Sequence, residues 1–473
     1  MHSSIVVLGG GPGGYAAAFL AADMGMEVTI VDSESGLGGT CLLRGCIPSK
    51  ALLHVAKVID ESRELTENWG VSFEAPKIDV DKVRARKESV IQSLSSGLGQ
   101  LAKRRDVNVI HARGTFTDSN TLTLEGDDPS IADSGQITFD HCIIATGSSP
   151  FVPPALLLES DRVMDSTGAL ALADVPQKML VIGGGYIGLE MATVYASLGS
   201  KVDVVELTNG LLPLADRDLV KPLARKLDKI LNEVMLDTKV GNMTEIDDHI
   251  QVTFEGPARL GVEDYDRVLV VTGRRPNSAD LGLESTKVAV NEKGFVQCDK
   301  SQRTADPAIF AIGDVAGEPM LAHKASHEAK VAVAVLAGHD MVFDHKAIPA
   351  VVFTDPEIAW AGLTETEAKS QDIKVEVMRY PWAASGRAQA IGATDGLTKL
   401  LIDPESERVL GCGIVGVGAG ELIAEAVLAI EMGCEARDIT KAIHPHPTLS
   451  ETVMNAGELF FGSAVEIYKP KRS

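Results

Sequence analysis

An apolar run that begins at Ile5 has the length of one strand, and a glycine-rich turn, a helix-forming run and a second strand follow it. This second strand ends on an acidic residue. The same succession of apolar and polar positions returns near the middle of the chain. In both copies the acid follows the first glycine of the turn by the same offset, Gly9 to Asp32 and Gly183 to Glu206. Two copies in one register predict two Rossmann-like dinucleotide-binding domains in one polypeptide.

The remaining pattern predicts an α/β protein in four regions. A run rich in serine and proline, residues 148–154, is predicted to be a linker, and residues 272–276 are predicted to close the second unit. The expected domains are 1–150 and 151–275 for the two nucleotide-binding units, 276–347 for a central domain that returns to the first unit, and 348–473 for a C-terminal α+β domain. Its predicted elements are strands at 348–353 and 399–402 and a helix at 421–432.

The composition fits a soluble globular protein, since 45% of the 473 residues are hydrophobic and 23% are charged. We find no apolar run of about eighteen residues, the length of a membrane span. The first glycine turn interrupts the apolar stretch that a signal peptide would need, so a cytoplasmic protein without membrane contact is expected. The net charge of −22 argues against nucleic-acid binding. Either solubility or a basic partner could account for it.

The first glycine-rich turn carries Gly9, Gly11 and Gly14 between a strand and a helix. Glycines allow the sharp turn and the close approach of the backbone to a pyrophosphate, and the helix N-terminus supplies N–H groups and partial positive charge. Asp32, at the end of the next strand, is expected to accept a hydrogen bond from a ribose. The alternative is a loop without a ligand, which the strand and helix context disfavours.

The second turn carries Gly183, Gly185 and Gly188, and its terminal acid is Glu206. A carboxylate at this position accepts a hydrogen bond from the 2′-hydroxyl of NAD and repels the 2′-phosphate of NADP. The three residues that follow Glu206 include no basic side chain. NAD is therefore the expected nucleotide, unless Glu206 is only a solvated strand end.

Two of the six cysteines, Cys41 and Cys46, lie close together in the segment from Gly38 to Lys50. Pro48 fits the first turn of a helix, which would place Cys46 at a helix N-terminus, where the helix dipole lowers a thiol pKa. Such a pair suits thiol–disulfide exchange. Zinc is the alternative, but it usually requires a second pair with tighter spacing, so no metal site is expected.

These motifs resemble those of the pyridine nucleotide–disulfide oxidoreductases over nearly the whole chain, and two further segments add to the resemblance, Ala145-Thr146-Gly147 and Ala311-Ile312-Gly313-Asp314. The resemblance implies FAD in the first domain, NAD in the second and a redox-active disulfide between Cys41 and Cys46. It implies an FAD site that includes Gly39, Thr40, Lys50, Gly114, Thr146, Gly147, Ser148, Glu190, Asp314, Met320, Leu321, Ala322 and His323, with Lys50 and Glu190 near the flavin N5 edge. It also implies that Val240 and Gly273 line the NAD pocket.

The string from His444 to Glu451 contains two histidines and a carboxylate. From the residues alone, Thr448 and Glu451 could form a capping box at the start of a helix, and His444 could be a packed histidine. The string resembles that of the dihydrolipoamide dehydrogenases. That resemblance implies that His446 is a general base oriented by Glu451, that the pair reaches the disulfide of the other subunit, and hence that the protein is a homodimer.

The resemblance implies oxidation of protein-bound dihydrolipoamide with transfer of hydride to NAD⁺. The expected partners are lipoyl domains and the core acyltransferase of a 2-oxo acid dehydrogenase complex, or the glycine cleavage system. Two departures stand out, because many relatives have Asn-Val where this chain has Leu43-Arg44, and often Glu where it has Asp32. Arg44 could alter the dithiol site.

The alternatives within and beyond the family are less favoured. A mercuric reductase would be expected to carry a C-terminal cysteine pair, and none follows Cys434. A glutathione reductase would favour basic residues after the second unit. A non-catalytic flavin redox sensor would need the cysteines but not the pair of His446 and Glu451.

Overall fold

The computed structural model describes residues 1–131 and 134–467, so residues 468–473 of the expected C-terminal domain lie outside it. The first part of the chain contains these helices and strands: β1 (His2–Leu8), α1 (Pro12–Asp23), β2 (Val28–Asp32), α2 (Gly39–Arg44), α3 (Cys46–Asn68), α4 (Val80–Arg104), β3 (Asn108–His111), β4 (Arg113–Asp118), β5 (Thr121–Glu125), β6 (Gln136–Ile144) and β7 (Ser148–Pro150).

The first sheet is parallel in its centre, in the order β3, β2, β1, β6. Strands β5 and β4 continue it in antiparallel fashion. Ile5 and Val7 of β1 pack into one apolar cluster, and Val6 and Leu8 pack into another on the opposite face. A central strand buried on both faces reads as a continuous apolar run, which is why the sequence marks β1 so clearly.

The second part of the chain contains these helices and strands: β8 (Val163–Met164), α5 (Ser166–Ala171), β9 (Lys178–Ile182), α6 (Tyr186–Leu198), β10 (Lys201–Val205), α7 (Arg217–Ile230), β11 (Glu233–Met235), β12 (Lys239–Ile246), β13 (His249–Glu255), β14 (Leu260–Tyr265), β15 (Arg267–Val270) and β16 (Arg274–Pro276). A second parallel sheet has the order β11, β10, β9, β15, β8, and β12, β13 and β14 form an antiparallel sheet beside it.

The internal repeat predicted from the sequence is visible at the two glycine turns. A Cβ atom added to Gly14 would collide with the carbonyl oxygen of Gly9, and one added to Gly188 would collide with that of Gly183. Both turns therefore need glycine at their last position, because the helix packs directly against the end of the strand. The two predicted Rossmann-like units are confirmed.

The segment predicted to be a linker is instead part of a small sheet. Strand β7 pairs in antiparallel fashion with β16, so that Ser148 lies opposite Pro276 and Pro150 lies opposite Arg274. The expectation of a linker at residues 148–154 was wrong for its first three residues, because their backbone groups are paired with the segment that closes the second unit.

The last part of the chain contains these helices and strands: β17 (Ile309–Ala311), α8 (Ala322–Leu336), β18 (Ala350–Val352), β19 (Glu357–Gly362), α9 (Glu365–Ser370), β20 (Glu376–Pro381), α10 (Gly386–Ala390), β21 (Leu397–Ile402), β22 (Val409–Gly416), α11 (Ala419–Met432), α12 (Ala436–Lys441) and α13 (Glu451–Phe461). Short 3₁₀ helices cover Pro154–Leu156, Leu283–Ser285, Gly313–Val315 and Trp382–Ala384.

Strand β17 returns to the first sheet and pairs in parallel with β6. The C-terminal strands form an antiparallel sheet in the order β18, β19, β22, β21, β20, covered by α11 and α13. Lys399 on β21 is 1% exposed, and its ammonium lies 2.7 Å from each of three carboxylates, those of Asp216, Asp218 and Glu365. This ionic cluster joins α7 of the second unit to the C-terminal sheet.

Among the residues described, every helix is too short or too polar to cross a membrane.

Candidate active site

A cavity of about 700 Å³ opens where the carboxyl end of β1 meets helices α2, α3 and α6. It is lined by many of the residues predicted from the sequence: Gly9, Gly11, Asp32, Gly39, Thr40, Cys41, Cys46, Lys50, Gly114, Thr146, Gly147, Ser148, Glu190, Asp314, Met320 and Ala322. The carboxyl ends of parallel strands are where α/β sheets bind ligands, so the fold places these residues at the expected edge.

The nucleotide end of the cavity is built on the first glycine turn. The Asp32 carboxylate accepts hydrogen bonds from the N–H groups of Gly10 and, at 2.9 Å, of Glu34. Burial raises the pKa of Asp32, and the two N–H donors oppose that rise. The N-cap of α1, Gly11, brings no side chain to the free N–H groups of the first turn. An open helix N-terminus beside the cavity fits a pyrophosphate, and the cavity as a whole fits FAD.

The turn at Gly313 and Asp314 is held from several directions. Ser148 donates a hydrogen bond to Asp314 at 2.5 Å, and Arg274 donates to the Ser148 hydroxyl at 2.8 Å. The N–H of Gly313 donates to the Glu328 carboxylate at 2.6 Å. Glu328 is itself buried in an ion pair with Lys324, 2.7 Å long. The sequence patterns had not singled out Arg274, Lys324 or Glu328.

The two redox cysteines lie on consecutive helices. Cys41 is in α2 and half-buried, and Cys46 is the first residue of α3 and exposed. The Cys41 thiol donates a hydrogen bond to the Cys46 sulfur, which lowers the pKa of Cys46 to about 7 with further help from the Lys50 ammonium. The same hydrogen bond, together with burial, raises the pKa of Cys41. The pair is therefore divided into a thiolate and a thiol.

Lys50 is positioned by an ion pair that crosses between domains. Its ammonium lies 3.0 Å from the carboxylate of Glu190 on α6, whose side chain is buried. The same carboxylate accepts the N–H of Phe353 at 3.0 Å, and the Phe353 ring lies 4.2 Å from the Lys50 ammonium. Three parts of the chain thus fix one cation beside Cys46.

The glycines of the second turn and Glu206 lie outside this cavity, although Tyr186 of the same motif lines it. The carboxylate of Glu206 accepts hydrogen bonds from the N–H of Gly184 at 2.7 Å and from the N–H of Thr208 at 2.8 Å. Val240 packs into the apolar core of the second unit. The predicted residues that do not line the cavity are Gly14, Gly183, Gly185, Gly188, Glu206, Val240, Gly273, Leu321, His323, His446 and Glu451.

His446 lies at the surface, away from the cavity of its own chain. Its side chain is 77% exposed, and its Nδ1 lies 2.9 Å from the Glu451 carboxylate. Partial burial alone would raise the pKa of Glu451, but the Thr448 N–H and His446 outweigh it and lower that pKa. The contact orients one ring nitrogen of His446, and none of the described residues forms a hydrogen bond with the other.

The expected capping box between Thr448 and Glu451 is only half formed. The N–H of Thr448 donates to Glu451 at 2.8 Å, but the N-cap of α13 is Ser450, and the Thr448 hydroxyl donates to the Pro445 carbonyl. The reciprocal hydrogen bond, from the Glu451 N–H to the Thr448 hydroxyl, does not form, because α13 begins at Glu451 with Ser450 as its N-cap. His444 is packed as the sequence allowed, with a 2.7 Å contact to Glu425.

Several cavity residues escaped the sequence patterns. Tyr186 is the first residue of α6 and lines the cavity, as do Arg274, Arg275 and Asn277. Tyr186 lies within the second glycine motif, and this position in the sequence could have identified it. Arg275 and Asn277 follow Gly273 along the chain, but only the pairing of β16 with β7 brings them to the site.

The chain combines two dinucleotide-binding folds with a pair of cysteines that differ in thiol pKa. This combination defines a nucleotide-dependent thiol–disulfide oxidoreductase. The chain belongs to the pyridine nucleotide-disulphide oxidoreductase family, which residues 3–329 match, and residues 348–456 match the dimerisation domain of that family. The predicted family and fold class are confirmed, and so are FAD and NAD as cofactors. The dimerisation domain supports the predicted homodimer.

The curated relatives match over their full length. The chain is 50% identical to the dihydrolipoyl dehydrogenase of Vibrio cholerae serotype O1, across 100% of this chain and 98% of the relative. It is 48% identical to that of Haemophilus influenzae and 42% identical to that of Geobacillus stearothermophilus, with 100% and 99% of this chain covered and 98% of each relative.

Solved structures show the same architecture. LpdA from Mycobacterium tuberculosis has a TM-score of 0.87 at 25% identity, over 96% of this chain and 99% of that one. The HOCl-induced flavoprotein disulfide reductase RclA from Escherichia coli has a TM-score of 0.84 at 28% identity, with the same coverage.

Proposed function

We propose that this chain is a dihydrolipoyl dehydrogenase, which oxidises protein-bound dihydrolipoamide to lipoamide and passes the electrons to NAD⁺. The observation that carries the proposal is the presence of Cys41 and Cys46 together at the wall of the cavity, beside the ion pair of Lys50 and Glu190. Relatives named dihydrolipoyl dehydrogenase, up to 50% identical over the whole chain, support the choice of dithiol.

The residues that would hold FAD are the first glycine turn, Asp32, and the turn at Gly313 and Asp314. When bound there, FAD supplies a two-electron acceptor that returns the pair as hydride to NAD⁺. Lys50 would hold the Cys46 thiolate by charge, and Glu190 and Phe353 hold Lys50 in place. NAD would lie on the second glycine turn, with Glu206 accepting the ribose hydroxyl.

The dithiol step follows from the division of the cysteines. A thiolate of the substrate attacks Cys41 in the oxidised Cys41–Cys46 disulfide, and the S–S bond breaks to release Cys46 as a thiolate. The second substrate sulfur then attacks the first, which releases the Cys41 sulfur and closes the cyclic disulfide. Two electrons move from the substrate to the cysteine pair, and the proton of the attacking thiol is taken by a general base.

We assign that base to His446 of the partner subunit. Within one chain, His446 is highly exposed and does not line the cavity, which supports a role at a site outside its own subunit. The match to the family's dimerisation domain over residues 348–456 supports this placement. Glu451 would hold Nδ1 and leave Nε2 to receive the proton.

The domain division and setting belong to the same proposal. Residues 1–150 and 276–347 would bind FAD together, which the pairing of β17 with β6 supports. Residues 151–275 would bind NAD, and 348–473 would form the dimer interface. The protein would act in the cytoplasm, where lipoyl domains and the core acyltransferase of a 2-oxo acid dehydrogenase complex, or the glycine cleavage system, present the dithiol.

The decisive experiment is steady-state NADH formation with dihydrolipoamide, measured beside NADP⁺, glutathione and mercuric ion. We expect turnover with dihydrolipoamide and NAD⁺ that Cys41→Ser abolishes. Preference for another disulfide or for mercuric ion would make the chain a different reductase. Absence of turnover with every substrate by a protein that holds FAD would favour a redox sensor.

A further inference from the structure

Arg44 lies between the two redox cysteines in the sequence, but its side chain forms an ion pair elsewhere. Its Nη1 lies 2.5 Å from Oε1 of Glu34. Arg44 is the last residue of α2, whereas Glu34 lies in the loop that follows β2. Both side chains line the cavity and both are about one-third exposed, at 35% and 33%. The ion pair therefore lies at the rim and joins the redox helix to the nucleotide loop.

The backbone of Glu34 is held in place by two further contacts. Its N–H donates to the Asp32 carboxylate at 2.9 Å, and its carbonyl oxygen lies 2.6 Å from Nδ1 of His111. Asp32 in turn accepts the N–H of Gly10 in the first glycine turn. A continuous series of contacts thus runs from Arg44 through Glu34 and Asp32 to the turn that would receive the pyrophosphate.

We propose that Arg44 and Glu34 form a clasp over the adenosine end of the FAD site and slow the release of FAD. One residue belongs to α2 and the other to the loop after β2, and the clasp that joins them has to open before the dinucleotide can leave. An ion pair whose side chains are about one-third exposed is weakened by salt, so the clasp makes FAD retention sensitive to ionic strength. Arg44 and Glu34 are positioning residues that act through each other. The inference rests on FAD binding and is independent of the dithiol substrate.

The test is the rate of FAD release from the purified holoenzyme, followed by the rise in flavin fluorescence on dilution. Arg44→Val and Glu34→Gln should each raise this rate by about two- to fivefold, the range expected for a partly exposed ion pair. The double variant should release FAD no faster than the faster single variant, because both changes open the same clasp. Arg44→Lys should restore part of the retention.

Ionic strength supplies a readout that a loss of folding would not reproduce. Salt should accelerate release from the unchanged enzyme and have less effect on the Val and Gln variants. The matched control is Asp23→Asn, which opens the 2.8 Å ion pair with Arg105 outside the cavity and should leave the release rate unchanged. Thermal unfolding of each apoprotein shows whether the fold is intact.

The opposing results are distinct. If Arg44→Val speeds release while Glu34→Gln slows it or leaves it unchanged, Arg44 acts on FAD directly and the clasp is wrong. Unchanged rates in both variants would also overturn it. A protein that fails to oxidise dihydrolipoamide would contradict the proposed function and leave these release rates fully interpretable.

Discussion

The Cys41 thiol donates a hydrogen bond to the sulfur of Cys46, and this contact gives two similar side chains opposite acid–base behaviour. Cys46 has a pKa lowered to about 7, mainly by that hydrogen bond, and Cys41 has a raised pKa. The reduced pair is thereby divided into a Cys41 thiol and a Cys46 thiolate before any substrate arrives.

The first prediction concerns the thiolate of the two-electron-reduced enzyme, seen as a long-wavelength flavin absorption band. Because the Cys46 pKa is about 7, the band should be present above that pH and fade as the pH falls through it. Cys46→Ser should abolish the band. Cys41→Ser should keep it beside oxidised flavin, because the serine hydroxyl can still donate a hydrogen bond to the Cys46 sulfur. Identical behaviour of both variants would contradict the division of roles.

The second prediction tests the general base. A positioned base contributes about 10²–10⁴-fold to rate, so His446→Ala should lose dihydrolipoamide oxidation by that factor while NADH still reduces the flavin. His444→Ala is the matched control in the same segment, because His444 contacts Glu425 and should affect rate much less. Thermal unfolding is measured beside both, since His444 is packed. If His446→Ala and His444→Ala are both stable and lose rate equally, His446 is not the general base.

The third prediction tests whether the base comes from the other subunit. Mixed dimers of Cys41→Ser and His446→Ala subunits should recover part of the activity that each homodimer lacks. One of their two sites combines an intact cysteine pair with an intact histidine from opposite chains. Recovery is measured as NADH formation by verified mixed dimers. If the mixed dimers recover no activity, His446 does not act on the cysteine pair of the other subunit.

The fourth prediction concerns nucleotide choice. Glu206 holds its carboxylate at the second glycine turn, where it accepts the N–H groups of Gly184 and Thr208. The enzyme should favour NAD⁺ over NADP⁺ strongly in kcat/KM, and Glu206→Gln should narrow the gap by removing the charge that repels a 2′-phosphate. If Glu206→Gln leaves the ratio of kcat/KM for NAD⁺ and NADP⁺ unchanged, Glu206 does not discriminate against the 2′-phosphate.

The fifth prediction concerns stability. Lys399 is buried among Asp216, Asp218 and Glu365, and removal of one partner from a buried ionic cluster costs about 3–5 kcal/mol. Lys399→Ala should lower the free energy of unfolding by about that amount. Arg379, which is 43% exposed, pairs with two of these carboxylates, Asp218 and Glu365, and Arg379→Ala should cost about 1 kcal/mol or less. Denaturant titration measures both.

The pH dependence of this loss has a definite sign. Burial raises the pKa of Asp216 and of Asp218, but Lys399, together with backbone N–H donors at Asp216 and with Arg379 at Asp218, outweighs burial and lowers both pKa values. The stability that these carboxylates contribute is therefore present above about pH 4, the ordinary Asp value, and is lost as the pH falls. The gap between Lys399→Ala and the unchanged protein should narrow in acid. A gap that is constant with pH would mean that packing, and not charge, causes the loss.

Short-range features of this chain follow from the sequence alone. The strand, glycine turn and helix at Gly9 and Gly183 were predictable because their geometry depends on neighbours within one structural unit. The helix that begins at Cys46 was predictable for the same reason, since Pro48 fits the first turn of a helix. The pattern at Glu206 favoured NAD over NADP, and the family resemblance added the assignment of FAD to the first unit.

Tertiary structure decided the contacts that tune these elements. The partner of Arg44 is Glu34, although the sequence places Arg44 between two cysteines, and the buried carboxylate that holds Gly313 comes from Glu328 on a later helix. The exposure of His446 likewise depends on how α13 packs. A sequence pattern records which elements form, but ion pairs between elements depend on distances that arise only when the sheets and helices have assembled.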